Sequence, residues 1–86
     1  MNENINSIQV KPNPTFGELV ISFKNNTESL FVVEVFDMYG GKMISEELFK
    51  SSSNQVKMNC SDLPPGVYIL YISSNNKFFQ TKFIKL

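Results

Sequence analysis

The chain has 86 residues, 42% of them hydrophobic, with eight phenylalanines, three tyrosines and a net charge of zero. That is one small domain with enough apolar material for a folded core, and it lacks the basic excess a nucleic-acid partner requires. It has no histidine, which removes the commonest metal ligand and general base, and its single cysteine, Cys60, excludes an internal disulfide.

The predicted elements follow in chain order, separated by turn residues at intervals of roughly 10–14 positions. Ile5 to Val10 is the first strand. Pro12, Asn13, Pro14, Thr15, Phe16 and Gly17 end it, because two prolines lack N–H donors and cannot sit in a central ladder. Glu18 to Lys24 alternates, with Leu19, Ile21 and Phe23 on one face. After a polar turn over Asn25 to Ser29, Leu30 to Phe36 places Phe31, Val33 and Val35 on a common face with Glu34 opposite. Asp37-Met38-Tyr39-Gly40-Gly41 reads as a type I turn, with Asp first and a glycine supplying a positive φ. Lys42 to Phe49 is the returning arm of that hairpin.

Ser51 to Asn54 is a loop. Gln55 to Cys60 then alternates again, with Val56, Met58 and Cys60 inward. Pro64-Pro65-Gly66-Val67 suits a type II turn, Pro second and Gly third. Val67 to Ser73 is apolar on both faces, the pattern of a central strand covered on both sides. Ser74 to Asn76 turns the chain into a last strand, Lys77 to Leu86. No segment has a sustained helical period. Seven short strands in this length predict an antiparallel, immunoglobulin-like β-sandwich with Leu19, Ile21, Val33, Val35, Val56, Met58, Ile69 and Phe83 in its core. Tyr68, just past the proline corner, is placed where such sandwiches keep a Tyr whose hydroxyl bonds upstream backbone.

Little in the residues points to catalysis. Glu46 and Glu47 are adjacent, so on a strand they face opposite sides. Asp37 and Asp62 sit at turns, where Asp bonds local backbone N–H groups. A calcium site from these two and loop carbonyls lacks the spacing of a known calcium loop. Cys60 reads as a buried structural thiol, and Gly40-Gly41 precedes no helix that could cradle a phosphate. The residues therefore describe a binding, anchoring or address module with no metal, no cofactor and no enzymatic activity. Lys77, Lys82 and Lys85 bring the last thirteen residues to +3, which reads as a solvated edge that discourages strand-to-strand aggregation, with Lys82 and Lys85 facing solvent. Asn25-Asn26-Thr27 and Asn59-Cys60-Ser61 fit the N-glycosylation pattern, which matters only in a eukaryotic secretory route. The longest apolar run, Val67 to Ile72, falls far short of the ~18 residues of a membrane span. The polar start at Met1-Asn2-Glu3-Asn4 is no export signal, so the expectation is a protein that stays inside or a piece of a longer one.

Four stretches together resemble the C-terminal sorting domain of type IX (Por) secretion substrates of Bacteroidetes. They are Val10-Lys11-Pro12-Asn13-Pro14-Thr15; Val33-Glu34-Val35-Phe36-Asp37-Met38-Tyr39-Gly40; Met58-Asn59-Cys60-Ser61-Asp62-Leu63-Pro64-Pro65-Gly66-Val67-Tyr68; and Thr81-Lys82-Phe83-Ile84-Lys85. Each is weak alone; in this order and spacing they are specific. The chain departs from the pattern at Gly41, where the family often has Arg or another long residue, and at Phe36 and Cys60. The resemblance covers about Ile8 to Leu86, with residues 1–7 read as a linker from the parent protein, and Met1 as a boundary inside it. It implies a folded address label on a larger cargo that reaches the periplasm by its own signal peptide. An outer-membrane type IX translocon then reads the label, and a sortase-like cysteine protease removes it upstream of the first strand, near or before Met1 to Asn6, leaving the cargo on the cell surface or released. It also implies that Pro12, Asn13, Pro14, Asp37, Gly40, Leu63, Pro64, Gly66 and Tyr68 are family motif positions. Lys82, Phe83, Ile84 and Lys85 are the residues expected to be recognised. The alternative reading is an immunoglobulin-like adhesion module for carbohydrate or protein, with Tyr39, Phe49 and Tyr71 as an exposed aromatic platform.

Overall fold

The computed structural model describes residues 3–4, 8–23, 30–49, 55–74 and 77–86. Its strands are β1 (Glu3–Asn4), β2 (Ile8–Lys11), β3 (Glu18–Phe23), β4 (Leu30–Asp37), β5 (Lys42–Phe49), β6 (Gln55–Asn59), β7 (Gly66–Ser74) and β8 (Lys77–Lys85). They form a five-stranded sheet, order β1-β8-β7-β4-β5, facing a three-stranded sheet, order β2-β3-β6. All pairings are antiparallel except that of β1 with β8, where Glu3 lies opposite Lys77. The all-β sandwich expected from the strand pattern is therefore present. The expected turn over Asn25 to Ser29 and the loop over Ser51 to Asn54 lie outside the described residues, as do Ile5 to Ser7 of the expected first strand and Asn75 and Asn76 of the last turn.

The core forms where alternation brings the apolar faces together. Leu19, Ile21 and Phe23 of β3 meet Phe31, Val33 and Val35 of β4 across the gap, all buried, with the Phe23 and Phe31 rings stacked at 4.4 Å between centroids. Met58 and Cys60 close one flank and Tyr68, Leu70, Ile72 and Phe83 the other. Each fully buried large side chain contributes about 1.5–3 kcal/mol. Val56 is half-buried against this core rather than within it.

Ile69 is a correction. It is half-buried on the outward face of β7, and Tyr68, Leu70 and Ile72 point inward instead. A run of six apolar residues carries no parity of its own, and Tyr68, turned inward to the corner, sets it. The outward face of β7 also differs from expectation, since Val67 is 41% exposed and no described segment lies over it. The position of β7 between β8 and β4 makes it central within its sheet, but only one of its faces meets a second layer.

The corner is corrected as well. The turn closes at residues 60–63, where the Leu63 N–H donates to the Cys60 carbonyl at 3.1 Å, and Gly66 is already the first residue of β7, opposite Lys85. Gly66 does not adopt a positive φ; Gly17 and Gly40 do. The two prolines thus bridge between turn and strand and do not form the turn themselves.

Candidate functional site

Asp37 shows how local chemistry shapes this end of the sandwich. Its Oδ1 accepts from the Tyr39 N–H at 2.9 Å and the Gly41 N–H at 2.8 Å. Its carbonyl accepts from the Gly40 N–H, and its own N–H donates to the Gly41 carbonyl. Gly40, at φ 87°, supplies the left-handed residue that lets this type I turn rejoin β5 through a bulge. A Cβ on Gly41 would stand 3.0 Å from the Asp37 carboxylate, so the glycine leaves room for that carboxylate.

Asp37 lies opposite Tyr68 of β7, and Tyr68 opposite Phe83 of β8. The Tyr68 and Phe83 rings stack at 5.7 Å. The Tyr68 hydroxyl donates to the Pro64 carbonyl at 2.5 Å, the upstream bond expected of this corner. Leu63 is buried beside it. The turn hydrogen bonds expected of Asp62 come from Asn59 instead, whose Oδ1 accepts from the Ser61 N–H and hydroxyl.

The proline loop completes the row. Both its X–Pro bonds, Lys11–Pro12 and Asn13–Pro14, are cis. The Asn13 side-chain amide acts as a short piece of strand along the free edge of β8: its oxygen accepts from the Ile84 N–H at 2.9 Å and its NH2 donates to the Lys82 carbonyl at 3.3 Å. Thr15 then pairs in parallel with Lys85, donating its N–H to the Ile84 carbonyl and accepting from the Leu86 N–H, both at 2.8 Å. Its side chain is buried, with Oγ1 donating to the Glu18 carbonyl and accepting from the Gly17 N–H. Gly17 lies so close to the corner that a Cβ there would meet Ser61 at 3.0 Å, and its carbonyl accepts from the Cys60 N–H.

Of the four residues expected to be recognised, Lys82 and Ile84 face outward and Phe83 is buried. Lys85 contradicts the expectation of a solvent-facing lysine, being only 7% exposed. The period of two that buries Phe83 buries the Lys85 stem too, and its Nζ reaches the Leu86 carbonyl at 2.8 Å. Asn13 is expected only as a motif position; the bonds that its amide and Thr15 make are not foreshadowed in the sequence.

On the opposite flank, β5 and the β6–β7 connection enclose an open cleft of about 350 Å³, floored by Ile44, Cys60 and Leu63 with the Glu46 and Asp62 carboxylates at its rim. Burial pushes the Cys60 thiol above its ordinary pKa and Glu46 adds to the rise, while Lys85 opposes it. The thiol is held protonated and is a poor nucleophile. Of the aromatic platform of the alternative reading, Tyr39 stands fully exposed at the hairpin tip and Tyr71 stacks on Phe78 out on the sheet face; the Phe49 side chain lies outside those described. No helix among the described residues is long and apolar enough to cross a membrane.

Comparison with known proteins agrees with this arrangement. A structure of a DUF3244 family protein from Bacteroides vulgatus, described as having an immunoglobulin-like β-sandwich fold, superposes with a TM-score of 0.76 at 17% identity, covering 93% of this chain and 85% of that one. At that identity the likeness shows the fold alone. No curated protein matches the chain. The family model of the secretion system C-terminal sorting domain, the Por secretion tail, matches residues 9–86. The chain belongs to that family of sorting domains, and its function is that of a type IX sorting signal on a secreted or cell-surface protein.

Proposed function

We propose that this domain is a non-catalytic address label, read in its folded state by the outer-membrane type IX machinery and removed from its cargo by a sortase-like cysteine protease. The cargo lies N-terminal to it, passes through the periplasm, and is left on the outer surface or released. Residues 8–86 are the label and 1–7 belong to the connection with the cargo. The observation that supports this reading is convergence: the four sequence motifs of the family, spread over more than seventy positions, meet at one end of the sandwich around β8. Asp37, Tyr68 and Phe83 form a cross-strand row there, and Asn13 and Thr15 hold the far edge of β8.

The test is a fusion of this chain to a periplasmic reporter carrying an export signal, expressed in a bacterium with a type IX system and in its translocon-deficient derivative. The reading predicts reporter on the cell surface only in the first strain. Retention in the periplasm of both strains would overturn it. Surface display accompanied by carbohydrate binding of the purified domain would favour the adhesion module.

A further inference from the structure

The last strand presents an apolar strip to solvent that the core does not use. Thr15 and Lys85 pair side by side with both side chains inward, so Leu86 falls on the outward side together with Ile84, and Phe16, in the bend that follows Thr15, is exposed at this edge of β8. Val67 lies directly opposite Ile84 on the same face. These four residues are 82%, 49%, 41% and 41% exposed for Phe16, Leu86, Ile84 and Val67. Scattered apolar residues on a surface are ordinary, but a contiguous group is characteristic of an interaction site. The strip is rigidly held, because the Asn13 amide and the Thr15 backbone bond the edge of β8 at Lys82, Ile84 and Leu86.

Charge defines the kind of occupant. On the same outward face Glu34 is engaged by Lys42 at 2.7 Å. Lys82, next to Ile84 along the face, makes no ion pair among the described residues. We propose that Phe16, Val67, Ile84 and Leu86, with Lys82 at their border, form the docking surface for a protein partner that presents an apolar strip flanked by a carboxylate. The proposal rests on the sorting reading and names the part of the domain that the machinery touches. A protein surface fits better than a lipid one. A single lysine attracts an anionic bilayer weakly, and Val67 and Ile84 lie flat within a sheet, where an opposing protein face can cover them but acyl chains gain little depth.

The experiment uses the reporter fusion above. Phe16→Ser with Ile84→Ser, and separately Lys82→Glu, are expected to lower surface reporter at least tenfold while the purified domains melt within a few degrees of the parent. Lys82→Arg should retain export, as should Lys57→Glu, the same charge reversal on the outward face of the other sheet. Normal export of the folded Phe16/Ile84 variant, or of Lys82→Glu, overturns the proposal. If the apolar double variant fails to fold, Lys82→Glu decides alone, since its side chain is solvated. Periplasmic retention of the parent fusion itself would instead sink the sorting reading and this proposal with it. Co-sedimentation of the purified domain with phosphatidylglycerol vesicles, lost in Phe16→Ser, would replace the protein partner by a membrane; the expected result is no co-sedimentation.

Discussion

The two faces of β8 obey different rules although they alternate residue by residue. Its inward side, Phe83 and Lys85, is buried between the sheets, whereas its outward side, Lys82 and Ile84, carries little of the fold. A strand can therefore hold a domain together with one face and leave the other open to solvent, because the period of two separates the faces by one residue. Mutational effects should fall into the same two groups, so a stability measurement alone can tell which face a position serves.

The largest effect is expected on the inward side. Phe83→Ala removes a fully buried ring stacked on Tyr68 and should cost about 3–5 kcal/mol by denaturant unfolding. A cost below about 1 kcal/mol would mean β8 is not packed as described. Tyr68→Phe keeps that stack and deletes the bond to the Pro64 carbonyl. The expected loss is about 0.5–1.5 kcal/mol, and an unchanged midpoint would show that the corner is held by its prolines alone.

A pH series sharpens the comparison from the other flank. Cys60 has a raised folded pKa because burial favours the neutral thiol, so its contribution is fully present below the unfolded value of about 8.5 and is lost as pH climbs through the folded one. Stability should fall more steeply from neutral to alkaline pH in the parent than in Cys60→Ala, although the variant begins less stable. Parallel curves would contradict the burial. The smallest effect belongs to the outward side. Lys82→Ala should stay within about 0.5 kcal/mol of the parent, and Lys85→Ala should exceed it because buried methylenes are lost. Equal effects at the two lysines would erase the distinction between the faces.

How much of this could be read in advance depended on whether the signal was local. The strands, the Asp37 turn and the buried sets on β3 and β4 followed from alternation and turn chemistry that act over a few neighbouring residues. Ile69 was misplaced because its apolar run has no internal phase, although the expected Tyr68 bond already implied that Leu70 faces inward. Lys85 was sent to solvent on its charge, against the same alternation that buried Phe83. The Asn13 amide was out of reach for another reason: its partners lie 69 and 71 positions away, and nothing between two prolines announces a side chain imitating a strand. The candidate site was visible as motifs, but their meeting at one end is a property of topology.

The central claim is that β8 is docked and locked along its edge, so that any reader meets a folded surface and not a loose tail. Hydrogen exchange at single-amide resolution tests this most directly. The Ile84 N–H, held by the Asn13 oxygen, and the Leu86 N–H, held by the Thr15 carbonyl, should exchange at least about a hundredfold more slowly than in an unfolded chain. Asn13→Ala should release Ile84 selectively and leave Leu86 protected. Exchange of both amides at unfolded-chain rates in the parent, while Val33 in the core remains protected, would contradict the account.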